Sequence, residues 1–333
     1  MSINLAPFNV FSNIMTPVIT VCTALLIYLI LYRSKSNMGT YKHLLVTSAV
    51  SSLLMQYTVF FYEPLMYIST HGYVIFCNNT YLKSHKELAR QIGYLFSALF
   101  SNVAVIISVQ YIYRLCAILG QEKLRFFKGK YLVAWIVGVI FVDAAWYIMI
   151  NILNPTADLY DHYIEEPIME AFGQNISETY EDSIGNIQIH IGTVILLIYY
   201  YIILMTTNIL MVVVGAIIIR KTGSSNSQVS QRTKKMQRKL MKVLFMQSAA
   251  PFFLMYVPDS IIVVLEVLES ASEKTGLVML VFLEVYSLTE SLIVIFFIDD
   301  YRNTIRSLLF GRSQVSPTSK LAVTNQGSST RTL

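Results

Sequence analysis

Long uncharged apolar runs constrain this chain more than any other feature of its sequence. Residues 91–113 include no charged side chain, and Arg114 follows directly. An α-helix rises about 1.5 Å per residue, so this run is roughly 34 Å long as a helix and crosses a hydrocarbon core of about 30 Å. Similar runs recur, and the predicted spans cover residues 14–32, 44–62, 91–113, 131–151, 188–219, 243–265 and 276–298. The sequence therefore predicts an all-α membrane protein, a seven-transmembrane helix bundle.

The composition agrees with this class. Hydrophobic residues make up 55% of the 333 residues and charged residues 14%, and the mean hydropathy is +0.55. In such a chain the net charge of +5 does not indicate nucleic-acid binding, because basic residues orient membrane proteins. Residues 1–13 contain no Lys or Arg, so the first run is predicted to be a retained span and not a cleaved signal peptide. Cys22, Cys77 and Cys116 fall in separate regions and indicate neither a disulfide framework nor a zinc site.

The distribution of positive charge predicts the orientation of the bundle. Nearly all of the 25 Lys and Arg residues fall on one side of the predicted spans; the exceptions are Lys83, Lys86, Arg90 and Lys274. Under the positive-inside rule the amino terminus is outside and the carboxyl terminus inside. Glycosylation acceptors at Asn78 and Asn175 both fall in predicted outer loops. Residues 1–311 are predicted to form the membrane domain, and residues 312–333, rich in Ser, Thr and Asn, a disordered cytoplasmic tail.

Four acidic residues fall inside or near predicted spans: Asp143, Asp259, Glu284 and Glu290. A carboxylate at the bilayer centre costs several kcal/mol unless it is shielded, so each is expected to face the bundle interior or a cavity. Glu284 and Glu290 are about 120° apart around a helix and so do not form one paired site. For each acid, a structural hydrogen bond and a role in ligand binding or switching are both open.

The sixth predicted span carries two prolines, Pro251 and Pro258. A proline removes a backbone hydrogen bond and bends a helix, so these positions predict a hinge. Aromatic residues toward the outer halves of the spans are candidates for the lining of an apolar ligand pocket: Tyr57, Phe60, Phe61, Tyr94, Phe96, Tyr147 and Tyr256.

The inner ends of the spans carry the candidate coupling residues. Arg114, directly after Tyr113, is either an anchor at the membrane edge or a contact to polar groups of neighbouring helices in the resting state. Lys235 and Lys239 belong to a basic cluster that orients the chain and attracts anionic lipid. The same cluster is suited to bind an acidic protein partner.

Several function classes lose support at this point. There is no HExxH, no Gly-rich phosphate loop and no G-x-S-x-G, so no enzyme, cofactor or metal site is predicted. Residues 276–298 contain no lysine that could carry a retinal Schiff base. A seven-span transporter or channel that uses the buried acids stays open as the alternative, although no inverted repeat is visible.

Four segments carry a resemblance to a known family: residues 36–42, 111–114, 247–258 and 299–302. On these the chain resembles the nematode serpentine chemoreceptors of the Str class (serpentine receptor class r) or the related Srj class, within the G-protein-coupled receptors. The resemblance implies a ligand from the class of small environmental molecules, which includes volatile compounds. It also implies a heterotrimeric G protein as partner and the plasma membrane of a sensory neuron cilium as location. The Asp-Arg-Tyr, Asn-Pro-x-x-Tyr and cysteine-pair features of rhodopsin-like receptors are absent, so only Arg114 is carried over as a switch residue.

Overall fold

The computed structural model describes residues 4–34, 38–69, 72–153, 161–173, 181–182, 191–223, 231–268 and 273–310. Within these residues, seven helices are long and apolar enough to cross a membrane. The predicted seven-helix bundle is therefore confirmed. Asn175 and residues 312–333, for which the sequence predicts a glycosylation site and a cytoplasmic tail, lie outside the described ranges, and the orientation of the termini stays a prediction.

The elements follow the order of the predicted spans, with shorter elements between them. They are α1 (Ala6–Tyr32), α2 (Tyr41–Tyr62), β1 (Pro64–Ser69), β2 (Gly72–Cys77), α3 (Thr80–Lys83), α4 (Lys86–Leu119), α5 (Gln121–Leu124), a 3-10 turn (Arg125–Phe127), α6 (Lys130–Leu153), α7 (Asp161–Phe172), β3 (Glu181–Asp182), α8 (Ile191–Gly223), α9 (Gln231–Pro251), a π-helical segment (Phe252–Tyr256), α10 (Val257–Val267), α11 (Glu273–Phe297) and α12 (Asp299–Phe310). Helices α1, α2, α4, α6, α8 and α11 each form one span, whereas α9, the π-helical segment and α10 together form the sixth.

The third span, α4, is the central helix of the bundle. Of its apolar stretch 72% is buried, against 17% for α6, the fourth span. Helix α4 contacts α2, α6, α8 and α9. Helix α6 instead presents Ile140, Phe141 and Ile148 outward, as expected for a helix that is apolar on all sides and faces lipid.

A β-hairpin joins α2 to α3, where the sequence predicted only a loop. Strands β1 and β2 pair in antiparallel register, with Leu65 opposite Phe76, and the short β3 adds to the other edge of β2. The rings of Phe76 and Phe172 meet edge to face, with centroids 5.4 Å apart, so α7 packs on the hairpin. Burial of Leu65 and Phe76 against α7 gives this segment an apolar core of its own, which a solvated loop lacks.

The hairpin is fixed to the bundle at its base and along one strand. Glu63 has a left-handed backbone (φ 46) and ends α2, and its carboxylate accepts hydrogen bonds from the side-chain amides of Asn78 and Asn79, each at 3.3 Å. Gly276 at the start of α11 lies against the backbone carbonyl of Met66. We call this end of the bundle the hairpin end, and the opposite end, beyond Arg114, the basic end.

Helix α12 packs across the basic end of the bundle. Its polar and apolar residues lie on opposite faces. Tyr301 is fully buried, and its hydroxyl shares a hydrogen bond of 2.6 Å with Ser34, beyond the end of α1. Burial raises the pKa of Tyr301 to about 12.

Candidate functional site

A cavity lies near the hairpin end, among the third to seventh spans and under the hairpin. Its volume is about 90 Å³, several times the roughly 15 Å³ that one water molecule needs by the same measure. It is lined by Met66, Ile75, Phe96, Ser97, Phe100, Trp146, Leu196, Leu197, Tyr200, Tyr201, Asp259, Val263, Met279, Leu280 and Leu283. Its size and apolar walls suit a small organic molecule and not a peptide.

Few polar groups face this cavity. Asp259, predicted as a ligand or switch residue, lines it, and the Tyr200 hydroxyl donates a hydrogen bond to Asp259 Oδ2 at 3.1 Å. The Trp146 indole donates to Ser97 Oγ at 3.0 Å. A buried indole N–H costs free energy without an acceptor, so this bond fixes the orientation of the Trp146 ring in the cavity wall.

The aromatic wall differs from the predicted one. Of the seven candidate aromatic residues, Phe96 alone appears in the lining of this cavity, whereas Tyr147 lines a groove between α4 and α6 and Phe60 a recess beside α1. The sequence reasoning missed Phe100, Trp146, Tyr200 and Tyr201. No periodic signal marks them, because apolar residues surround these spanning helices on every side.

Two of the predicted acids, Asp143 and Glu284, lie away from the cavity lining. Asp143 on α6 accepts a hydrogen bond from the Asn102 side-chain amide at 2.7 Å, and it faces the groove between α4 and α6. Glu284 is fully buried, and neither of its carboxylate oxygens has a hydrogen-bond partner among the residues that the structure describes. The bond between Asn102 and Asp143 is the kind of pairing expected for a polar group at membrane depth.

Glu290, the fourth acid, lies in the packed interior between α2 and α11. Ser48 donates a hydrogen bond to Oε1, and the Tyr286 hydroxyl donates to Oε2 at 3.2 Å. Close by, Thr23 and Ser291 share a hydrogen bond of 2.8 Å between α1 and α11. These bonds favour the structural interpretation of Glu290.

The sixth span departs from α-helical geometry between its two prolines. Residues Phe252–Tyr256 form a π-helical segment that begins directly after Pro251, and Pro258 follows two residues after it. The Val257 amide bonds to the Phe252 carbonyl, one residue further back than in an α-helix. Tyr256, the last residue of the segment, meets Phe100 of the cavity wall edge to face, with centroids 6.2 Å apart. The irregular turn thus contacts the cavity directly.

Arg114 is enclosed by aromatic rings at the basic end. Only 3% of its surface is exposed, and its guanidinium carbon lies 3.5 Å from the Tyr41 ring centroid and 5.6 Å from that of Tyr113. Tyr113 packs edge to face on Phe127, which stacks on Trp135. If Arg114 were only an anchor at the membrane edge, its side chain would be in contact with water. Its burial agrees better with a contact between Arg114 and neighbouring helices, although the groups that it contacts are aromatic rings and not the expected polar groups.

The sixth span is tied to α12 at the basic end by charged side chains. Lys239 on α9 forms an ion pair with Asp299, and Arg302 bonds to the other carboxylate oxygen of Asp299 at 2.8 Å. These side chains are partly exposed, so the Lys239 pair contributes only about 0.2–1 kcal/mol. Lys235 also lies on α9, but its side chain is outside the described part.

Comparison with known families decides the class of this seven-helix bundle. A family model described as "Serpentine type 7TM GPCR chemoreceptor Str" matches residues 8–306. The chain belongs to the Str chemoreceptor family. The resemblance predicted from its motifs is therefore confirmed. As a Str-family chain it is a multi-pass membrane protein of the chemosensory receptor class, a class whose members act as receptors and not as enzymes.

Three relatives of this Str receptor come from nematodes. "G-protein coupled receptor str-33" of Caenorhabditis elegans is 32% identical over 127 residues, which cover 38% of this chain and 37% of that receptor. "Serpentine receptor class r-10" of C. elegans is 23% identical over 311 residues, 90% of this chain and 91% of the relative. Its Caenorhabditis briggsae counterpart is 24% identical over 304 residues, 86% of each chain.

Proposed function

We propose that this Str receptor binds a small environmental molecule in the cavity near the hairpin end and activates a heterotrimeric G protein at the basic end. The hairpin end then faces outward and the basic end the cytosol, with the glycosylation acceptor Asn78 on the outer side, in the plasma membrane of a sensory neuron cilium. The observation that carries the proposal is the contact between the cavity wall and the π-helical segment of the sixth span, through Phe100 and Tyr256.

Ligand binding reaches the basic end through the sixth span. A molecule that packs on Phe100 changes the space open to Tyr256, and the π-helical segment absorbs the change because its hydrogen bonds are already irregular. Pro251 and Pro258 lie on either side of this segment. Because a proline has no backbone N–H to continue the helical hydrogen bonds, the helix bends more easily there. The ligand shifts the population toward a bent or rotated state only if it binds that state more tightly.

Polar contacts join the sixth span to neighbouring helices at the basic end. Ser248 shares a hydrogen bond of 3.1 Å with Tyr111 of α4, and Lys239 pairs with Asp299 of α12. Each is worth about 1 kcal/mol or less. Movement of α9 releases both and opens the surface beside Arg114, where Lys235 and Lys239 meet the G protein and anionic lipid.

Filling the cavity is expected to abolish the response. A panel of volatile compounds is screened by calcium imaging in cells that express the receptor with a promiscuous G protein, and the variants are tested with the active compounds. Val263→Phe places a ring in the cavity lined by Val263, so we expect potency to fall at least about tenfold. Val264→Phe is the matched control, because Val264 is 54% exposed on the outer face of α10 and should keep the response. Equal responses from both variants would place the ligand elsewhere.

Removing Pro258, the second proline of the sixth span, is expected to weaken activation without weakening ligand binding. Pro258→Ala restores a backbone N–H and favours a regular helix, so the maximal response should fall by about two- to tenfold while the half-maximal concentration changes little. Pro17→Ala in α1 changes a proline inside another span and serves as the control. An unchanged maximal response in Pro258→Ala would contradict the hinge.

A further inference from the structure

We propose that the ligand of the cavity is a small amine, whose protonated nitrogen binds the carboxylate of Asp259 while its apolar body packs on the aromatic wall. This inference rests on the proposed function, since it names the chemistry of the same cavity. It goes beyond that function because neither the family nor the relatives state what this chain binds.

Asp259 gives the cavity a single acidic contact. Among the residues that line it, Asp259 carries the one carboxylate, and none is a Lys, Arg or His. The Tyr200 hydroxyl donates to Oδ2 at 3.1 Å. No ion pair to Asp259 occurs among the residues that the structure describes. The carboxylate thus has one neutral donor and no cationic partner from those residues.

A ligand cation would supply the missing charge. A carboxylate in an apolar cavity at membrane depth is costly without a counter-charge, and a donor with positive charge bonds to it more strongly than a neutral hydroxyl. An ammonium group also gains from aromatic faces within about 6 Å of it. Tyr200 and Trp146 lie together in the wall, with ring centroids 6.2 Å apart, and Tyr200 bonds directly to Asp259. The acid and the rings are therefore in position to bind the same group.

The cavity limits the rest of the ligand. A volume of about 90 Å³ and walls of Phe, Trp, Leu, Val and Met favour one ring or a short branched chain over a long or polar body. Matched compounds of that size that differ only at the polar group provide the test. Benzylamine is compared with benzyl alcohol, benzaldehyde and ethylbenzene, and isopentylamine is compared with isopentyl alcohol and isohexane.

The experiment measures direct binding to the purified full-length receptor in lipid nanodiscs, by the thermal shift that each compound produces. We expect at least one of the two amines to bind about 10- to 100-fold more tightly than its neutral analogues. Asp259→Asn keeps the side-chain size but removes the charge, and it should reduce the affinity for that amine to that of the alcohol. Asp143→Asn is the control, because Asp143 is another acid of the spans but lies outside this cavity, and it should keep the preference.

The outcomes separate this inference from the proposed function. If the aldehyde, alcohols or hydrocarbons bind as tightly as the amines, or if no amine binds, the amine inference is overturned. A preference for amines that survives in Asp259→Asn also overturns it. In each of these cases the receptor function still stands if other compounds drive calcium responses that Val263→Phe removes. Amine binding without any G-protein response would instead support the inference and contradict the proposed function. The thermal stability of ligand-free Asp259→Asn, measured in the same experiment and expected to match that of the unchanged receptor, tests whether this variant is folded.

Discussion

Replacing Arg114 by alanine is expected to abolish ligand-driven signalling while the receptor still reaches the cell surface and binds its ligand. The guanidinium lies 3.5 Å from the centre of the Tyr41 ring and is almost fully buried at the end of α4. A desolvated cation–π contact contributes roughly 2 kcal/mol. Its Nε and Nη2 atoms have no hydrogen-bond partner among the described residues, so they are available to an acceptor that approaches when the sixth span moves.

The measurement compares calcium responses with surface labelling and with ligand binding. Alanine removes both the stacking and the unpaired donors, so we expect the response to fall at least about tenfold. Arg114→Lys keeps the charge but loses the flat stacking surface, so an intermediate response is expected. Arg125→Ala changes an exposed arginine at the same end of the bundle and should signal normally. Full signalling by Arg114→Ala would remove Arg114 from the coupling mechanism.

Gly276→Ala is expected to displace the hairpin and open the cavity on the side that the hairpin covers. A Cβ at position 276 would lie 2.3 Å from the Met66 carbonyl oxygen and 2.7 Å from the Met66 Cβ. Contacts this short require the backbone of β1 to shift, which typically costs about 1–3 kcal/mol. Because Met66 and Ile75 of the hairpin line the cavity, the same shift changes the ligand site.

We expect Gly276→Ala to lower the thermal stability of the purified receptor and to reduce ligand affinity at least about tenfold. Gly138→Ala is the matched control, because a Cβ at Gly138 in α6 meets no atom within 4 Å. An alanine in place of glycine in the middle of a helix is neutral or stabilises it by about 0.5–1 kcal/mol. If the two variants behave alike, the close packing of the hairpin on α11 is not what closes the cavity.

Local features of the sequence are sufficient for the framework of this receptor. Each apolar run is long enough to cross the bilayer. It crosses as a helix because a chain in lipid has to satisfy its backbone hydrogen bonds within itself. Pro251 and Pro258 mark the irregular part of the sixth span for the same local reason, since a proline lacks the N–H that continues the helix. The family motifs are also short segments that can be read along the chain.

The cavity could not be predicted in the same way. In a soluble protein the polar face of a helix marks its outside, but here the lipid-facing and cavity-facing sides are both apolar. Asp259 and Asp143 therefore look alike in the sequence, although the first lines the cavity and the second faces a groove between α4 and α6. The hairpin does have a local signal in the sequence, because Tyr73, Val74, Ile75 and Phe76 are residue types that favour strands.

By itself the sequence determined the seven spans, the place of the irregular turn in the sixth span and the family, because each depends on the length, charge or composition of continuous segments. Only the tertiary structure decided which side chains meet. Phe100 and Tyr256 join the cavity to the sixth span across more than 150 positions of sequence, and Tyr41 encloses Arg114 from another helix. Such pairs depend on the rotation of each helix about its axis. Because lipid is apolar on every side of a helix, the packing between helices sets that rotation.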